Sequence, residues 1–158
     1  MPATITLLKS HSTLFVPCPV TSVNSPYSED DSLTPDNPLQ MVDGACEALD
    51  SIGRTGNPAL SFKRWALDAG FTRIEEHHFR MPVGSWPKDP RPKEIGAFLS
   101  ANIAEGVEGF TAVLNGDVLG WSRQEMEVLN ARVRSALSAR GVHAIFDFLV
   151  VTRMKPRE

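Results

Sequence analysis

Residues 142–154, Val-His-Ala-Ile-Phe-Asp-Phe-Leu-Val-Val-Thr-Arg-Met, constrain the fold of this chain more than any other stretch. Successive side chains of a strand point to opposite faces of its sheet. Here both sets are apolar: Val142, Ala144, Phe146, Phe148 and Val150 on one face, Ile145, Leu149 and Val151 on the other. A strand of that kind needs cover on both faces, so it belongs inside a sheet and not on a bare edge. The expected architecture is α/β, with Val142–Met154 antiparallel to at least one neighbour and helices packed against the sheet.

The rest of the chain supplies those helices. Asp36-Asn37-Pro38 is a helix start, followed by Leu39, Val42, Ala45, Cys46 and Leu49 at helical spacing. Pro58 opens a second short helix with Leu60, Phe62, Trp65, Ala66 and Ala69, and Gly70 is its C-cap. Phe71–Met81 reads as a strand, and Pro82–Pro92 as a turn-rich loop. Residues 93–119 read as a helical pair that bends near Gly106 and Gly109. This stretch is unusually apolar, with Ile95, Phe98, Leu99, Ile103, Val107, Phe110, Val113, Leu114, Val118 and Leu119. Ser122-Arg123-Gln124-Glu125 is a capping box that starts a helix with Met126, Leu129, Val133 and Leu137 on its buried stripe.

At 158 residues the chain suffices for one domain with a sizeable core. A net charge of -3 with no long block of one sign gives no basic face for nucleic acid or anionic membrane. No apolar run approaches the roughly 20 residues of a membrane span. Thr13–Val20 is mostly apolar but holds Pro17 and Pro19, and Lys9 lies too close before it for a cleaved signal. Cys18 and Cys46 form no CxxC pair, so no zinc site and no thioredoxin-like motif is expected. A cytoplasmic protein with two free thiols is the expectation.

Three segments carry a resemblance: Trp86-Pro87-Lys88-Asp89-Pro90, Glu105–Phe110 (EGVEGF) and Val118–Ser122 (VLGWS). Weaker agreement covers Ser32–Pro38 and Asn57–Phe71. In this order, over about residues 28–156, they resemble the LaeA-like methyltransferases of fungal secondary metabolism. The resemblance implies the C-terminal half of a class I S-adenosylmethionine-dependent fold. The chain is then a truncated methyltransferase-like (Rossmann-type) domain at 28–158, a small mixed sheet of three or four strands, preceded by an N-terminal extension at 1–27. The cofactor-binding half of the family is not matched. No GxG turn follows a strand and no acidic residue is placed for a ribose, so no cofactor is expected to bind.

The expected function is therefore a cofactor-independent natural-product protein. It would hold a hydrophobic small molecule in an apolar pocket and steer a cyclisation, cycloaddition or rearrangement. The alternatives are a non-catalytic pseudo-methyltransferase partner or regulatory subunit, and a remnant of a small-molecule methyltransferase. The expected substrate-binding residues are Trp86, Phe98, Asn102, Glu105, Phe110, Trp121, Phe146 and Phe148, because in the full-length family the helical insertion covers the substrate. The weak catalytic candidates are His78, His143 and Asp147. His77 and His78 are adjacent on a strand and point to opposite faces, so they do not share a metal easily, and no metal is expected. His143 and Asp147 share a face but lie about 13 Å apart by strand rise, too far for direct contact. Asp147 in an apolar strand needs a hydrogen-bond partner or a wet cavity.

A sheet cut short exposes an edge, which invites pairing with another chain. Two covers are open: added strands from Ile5–Leu8 and Thr13–Val16, or edge-to-edge pairing as a homodimer.

Overall fold

The computed structural model describes residues 26–56 and 58–154. The expected strands at Ile5–Leu8 and Thr13–Val16, and Cys18, lie outside these residues. The element order is a 3-10 turn (Pro38–Gln40), α1 (Met41–Ser51), α2 (Ala59–Asp68), β1 (Thr72–Pro82), α3 (Pro90–Thr111), a π-helical run (Ala112–Val118), α4 (Arg123–Leu137) and β2 (Ile145–Met154).

Local chemistry sets the boundaries. Asn37 caps the 3-10 turn by accepting from the Leu39 N–H at 3.0 Å. The end of α2 is a full Schellman motif. Gly70 adopts φ +79° and donates to the Leu67 carbonyl, while Phe71 N–H donates to the Ala66 carbonyl. The capping box of α4 is formed as the sequence implies, with Ser122 Oγ accepting from Glu125 N–H and Glu125 accepting from Ser122 N–H.

β2 is antiparallel to β1, with His77 opposite Val150, His78 opposite Leu149, Phe79 opposite Phe148 and Arg80 opposite Asp147. A bulge between Thr72 and Glu75 breaks the far end of the ladder, where Arg73 takes φ +50°. On its other side β2 meets Tyr27 through an isolated antiparallel bridge at Ile145, with N···O distances of 3.1 and 2.8 Å. Among the described residues the sheet thus has two strands, not three or four. The third position is begun by Tyr27 and goes no further. Pro26 precedes it, and Ser28-Glu29-Asp30-Asp31-Ser32 is a run of turn formers that does not sustain a ladder.

Both faces of β2 are used. On one, Leu149 and Val151 pack with Ile74 and with Phe62 of α2. On the other, Phe146 packs against the main core of Leu33, Leu39, Val83, Val107, Val133 and Ala144, built by α3, α4 and the segment before α1.

The 93–119 stretch differs from its expected helical pair. α3 runs unbroken for 22 residues through Gly106 and Gly109, then passes directly into the π-helical run. Each glycine costs about 1 kcal/mol in a helix interior. Packing of the Gly96, Leu99, Ile103, Val107 and Thr111 side offsets that cost. Gly96 is itself required, because a Cβ there would overlap the Gly84 carbonyl oxygen, and Gly84 N–H donates to the Gly96 carbonyl at 3.1 Å. Among the described residues no helix is long and apolar enough to cross a membrane.

Candidate functional site

The described residues gather most chemistry around His143, in the loop just before β2. Its ring Nδ1 lies 2.5 Å from Asp30 Oδ2. Its backbone N–H donates to Ser32 Oγ at 2.8 Å. The Trp86 indole stacks on the imidazole, with ring centroids 4.9 Å apart and planes 35° apart. Trp86 is pinned in turn by its Nε1–H, which donates to the Ala144 carbonyl at 3.4 Å. Three segments remote in sequence thus converge on one ring: the turn-forming segment 28–32, the loop after β1, and the entry to β2. The site sits at the end of the sheet where β1 finishes and β2 begins.

The Asp30 carboxyl is held down, from an ordinary 3.8 to about 2, first by the Ser32 side-chain hydroxyl and then by the His143 ring. Asp30 therefore stays ionised through the neutral range and can hold a proton on the facing Nδ1. The other ring nitrogen, Nε2, has no protein partner among the described residues.

The other catalytic candidates are placed elsewhere. Asp147 has a partner rather than a wet cavity: the Tyr27 hydroxyl donates to its Oδ1 at 3.2 Å. Across the ladder from it, Arg80 pairs with Glu29 at 2.6 Å. His78 is exposed on the α2 side of the sheet, and His77 on the opposite face lies 3.6 Å from Glu75. His143 and Asp147 do not act on one another, and the carboxylate that serves His143 is Asp30, 113 residues away. Sequence reading missed Asp30, since it saw an acidic loop and no long-range partner.

The expected substrate-binding residues do not converge. Phe146 is part of the core. Phe148 is half-buried opposite Phe79, which is 52% exposed. Phe98, Phe110 and Trp121 are 70%, 54% and 40% exposed, and Asn102 and Glu105 stand exposed with them. The Phe110 ring rests over Gly106 on the outside of α3. Trp86 stacks on the catalytic candidate His143. An open cleft of about 380 Å³ occurs instead where α3 ends against α4, floored by Thr111 and Asn130. There Thr111 Oγ1 and Asn130 Oδ1 meet at 3.0 Å, and Arg134 pairs with Glu108 at the rim.

Cys46 is a free thiol whose pKa is raised by burial and then by Asp43 and Asp50, which makes it a poor nucleophile. Among the described residues no cluster of His, Cys, Asp or Glu could hold a metal ion.

S-adenosylmethionine, which the sequence resemblance implies, does not fit the described residues. Gly84, at the carboxyl end of β1, stands alone rather than in a glycine-rich turn. The space its side chain would take faces Trp86 Cδ1 at 3.7 Å and Ser100 Oγ at 4.0 Å, and its carbonyl fills the space above Gly96. Gly53 and Gly70 end helices rather than follow strands.

Comparison with known proteins agrees with the sequence resemblance. The chain is 50% identical over 136 residues to methyltransferase pytC of Aspergillus terreus, covering 85% of this chain and 42% of that protein. It is 28% identical over 134 residues to the probable methyltransferase tdiE of Emericella nidulans, covering 84% and 42%. It is also 28% identical over 137 residues to the secondary metabolism regulator LAE1 of Cochliobolus heterostrophus, covering 84% and 44%. No family model matches the chain, and no solved structure does. The chain spans less than half the length of these relatives, and within that span it is similar to the pytC, tdiE and LaeA-like methyltransferases, as a fragment of a methyltransferase would be.

Proposed function

We propose that these residues are the acceptor-side portion of a small-molecule methyltransferase of secondary metabolism. They would act together with a cofactor-binding portion of the kind that the longer relatives have room for. The observation that carries this reading is the open outer side of α3. Phe98 and Phe110 of α3 are 70% and 54% exposed, and Val113 of the π-helical run that follows is 55% exposed. Large apolar side chains left in solvent are available for contact with a ligand or another protein segment. The similarity to a protein named methyltransferase pytC supports the reaction class. The ligand in this reading is a hydrophobic small molecule, bound where the two portions meet.

Cofactor-free steering of a cyclisation, cycloaddition or rearrangement would need an enclosed apolar cavity to position the substrate. Of the expected walls, Phe98, Phe110 and Trp121 are exposed while Phe146 packs against the core, so this reading lacks that support among the described residues.

A domain exchange tests the proposal. The chain replaces the matching 136 residues of pytC, and S-adenosylhomocysteine formation is followed with the parent enzyme's acceptor. Turnover within about tenfold of the parent, about 1.4 kcal/mol in the barrier, supports it. A folded chimera that binds S-adenosylmethionine but forms no product refutes it. By itself the chain is expected to bind that cofactor no tighter than about 100 μM, roughly -5.5 kcal/mol. Calorimetry showing tighter binding would mean that the described residues hold the cofactor after all.

A further inference from the structure

We propose that Nε2 of His143 is the proton acceptor for a hydroxyl group of the bound small molecule, an enol or phenol whose flat ring lies against the exposed edge of Trp86. The identity of that molecule as the methyl acceptor rests on the function proposed above; the proton-accepting site rests on geometry alone.

A surface ion pair by itself contributes little to stability, typically 0–1 kcal/mol. The investment around His143 exceeds what such a pair needs. Asp30 holds Nδ1 at 2.5 Å, Ser32 holds the backbone N–H at 2.8 Å, and Trp86 covers one face of the ring. Trp86 is held in place by the Ala144 carbonyl. These contacts fix the ring's position and its rotation. What they leave over is Nε2, on a side chain that is 39% exposed at the sheet rim. A carboxylate behind an imidazole, with the far nitrogen open, is the arrangement that makes histidine a general base.

The proton balance is simple. The ligand O–H bond breaks heterolytically, its electron pair stays on oxygen, and the proton forms a new N–H bond at Nε2. The imidazolium so formed is neutralised by Asp30, the charged side chain in contact with it. The oxyanion is left on the ligand. An aliphatic alcohol is too weak an acid to give up its proton to an imidazole to a measurable extent. An enol or phenol is acidic enough, which selects the ligand class. The indole of Trp86 gives the same selection by shape, since aromatic pairs prefer offset-stacked or edge-to-face contact.

The test uses the full chain with 4-nitrophenol, whose yellow anion reports proton loss directly. At a fixed pH slightly below the probe's own pKa, added protein is expected to raise the phenolate absorbance and to quench Trp86 fluorescence. His143→Gln should cut the protein-bound phenolate signal about tenfold, the ratio that one pKa unit represents. Asp30→Asn, which keeps the ring but removes its orienting charge, should cut it by a smaller factor, and Asp30→Glu should restore it. Both positions are at least partly exposed, and an unchanged circular dichroism spectrum confirms that each of the three variants is folded. Unchanged phenolate formation in folded His143→Gln overturns the proposal. So does absence of any phenolate gain with the unmodified chain at about 1 mM probe, the concentration of a roughly -4 kcal/mol interaction. The assay contains no methyl donor and no cofactor-binding portion. It therefore fails or succeeds independently of the domain exchange.

Discussion

The two sides of α3 obey different rules. The inner side carries Gly96, Leu99, Ile103, Val107 and Thr111, and packs on Gly84, Val83 and α4. Val107 is completely buried and Thr111 is 2% exposed. The outer side carries Ile95, Phe98, Asn102 and Glu105; Phe98 stands in water, as do Phe110 at the end of α3 and Val113 in the π-helical run beyond it. Both sides are rich in apolar residues. Hydrophobicity alone therefore does not tell a core stripe from a contact face. Residue size does: the inner side takes a glycine where two backbones touch, and the outer side takes the largest rings.

Substitutions can break or sharpen that contrast. The largest effect is expected from Gly96→Val, which drives a branched side chain into the Gly84 carbonyl. A loss of about 3 kcal/mol is expected from such overpacking, read as a lowered denaturant midpoint. Val107→Ala, in the fully buried centre of the same side, should cost about 2 kcal/mol through the cavity it leaves. Ser122→Ala removes the hydroxyl from the capping box of α4 and should cost about 1 kcal/mol, also by chemical denaturation. Phe98→Ser on the outer side should change stability by less than about 0.5 kcal/mol, while lowering binding of a hydrophobic dye. A loss of several kcal/mol at Phe98 would show that the two sides are alike.

Acid probes a weaker contact. The Asp30 carboxyl is depressed from 3.8 to about 2, so its share of stability is present above the ordinary value and lost as pH falls toward 2. NMR of the His143 backbone amide should report loosening of the 28–32 segment in that window, and Asp30→Asn should show it already at neutral pH.

Elements governed by neighbours in sequence were legible from it. The capping box of α4 and the glycine that ends α2 need only four to six consecutive residues, and the structure forms both. The apolar faces of residues 142–154 correctly required cover on both faces and an antiparallel neighbour, but the expected place inside the sheet is not reached among the described residues, where β2 meets only a single bridge at Tyr27 on its other edge. α3 was read as two helices because Gly106 and Gly109 look like breaks. Tertiary packing outweighs their propensity, and no local pattern announces that. The excess apolar residues of α3 were read as pocket walls, since periodicity counts apolar positions but does not say what meets them. The partner of His143 was invisible for a different reason. Asp30–His143 and Tyr27–Asp147 join residues 113 and 120 apart, and nothing in a single sequence marks such a pair.

Those separations also shape how the chain is made. Segment 26–33 leaves the ribosome on the order of ten seconds before its partners on β2, at roughly 5–20 residues per second and 113 residues of delay. Throughout that interval its partners Ile145, Asp147 and His143 are missing. Its Ser28, Glu29, Asp30, Asp31 and Ser32 are well suited to waiting in water, whereas an apolar strand in the same place would be a site for aggregation. The residues that end the sheet early in the finished protein are the ones that keep the nascent chain soluble until its last strand arrives.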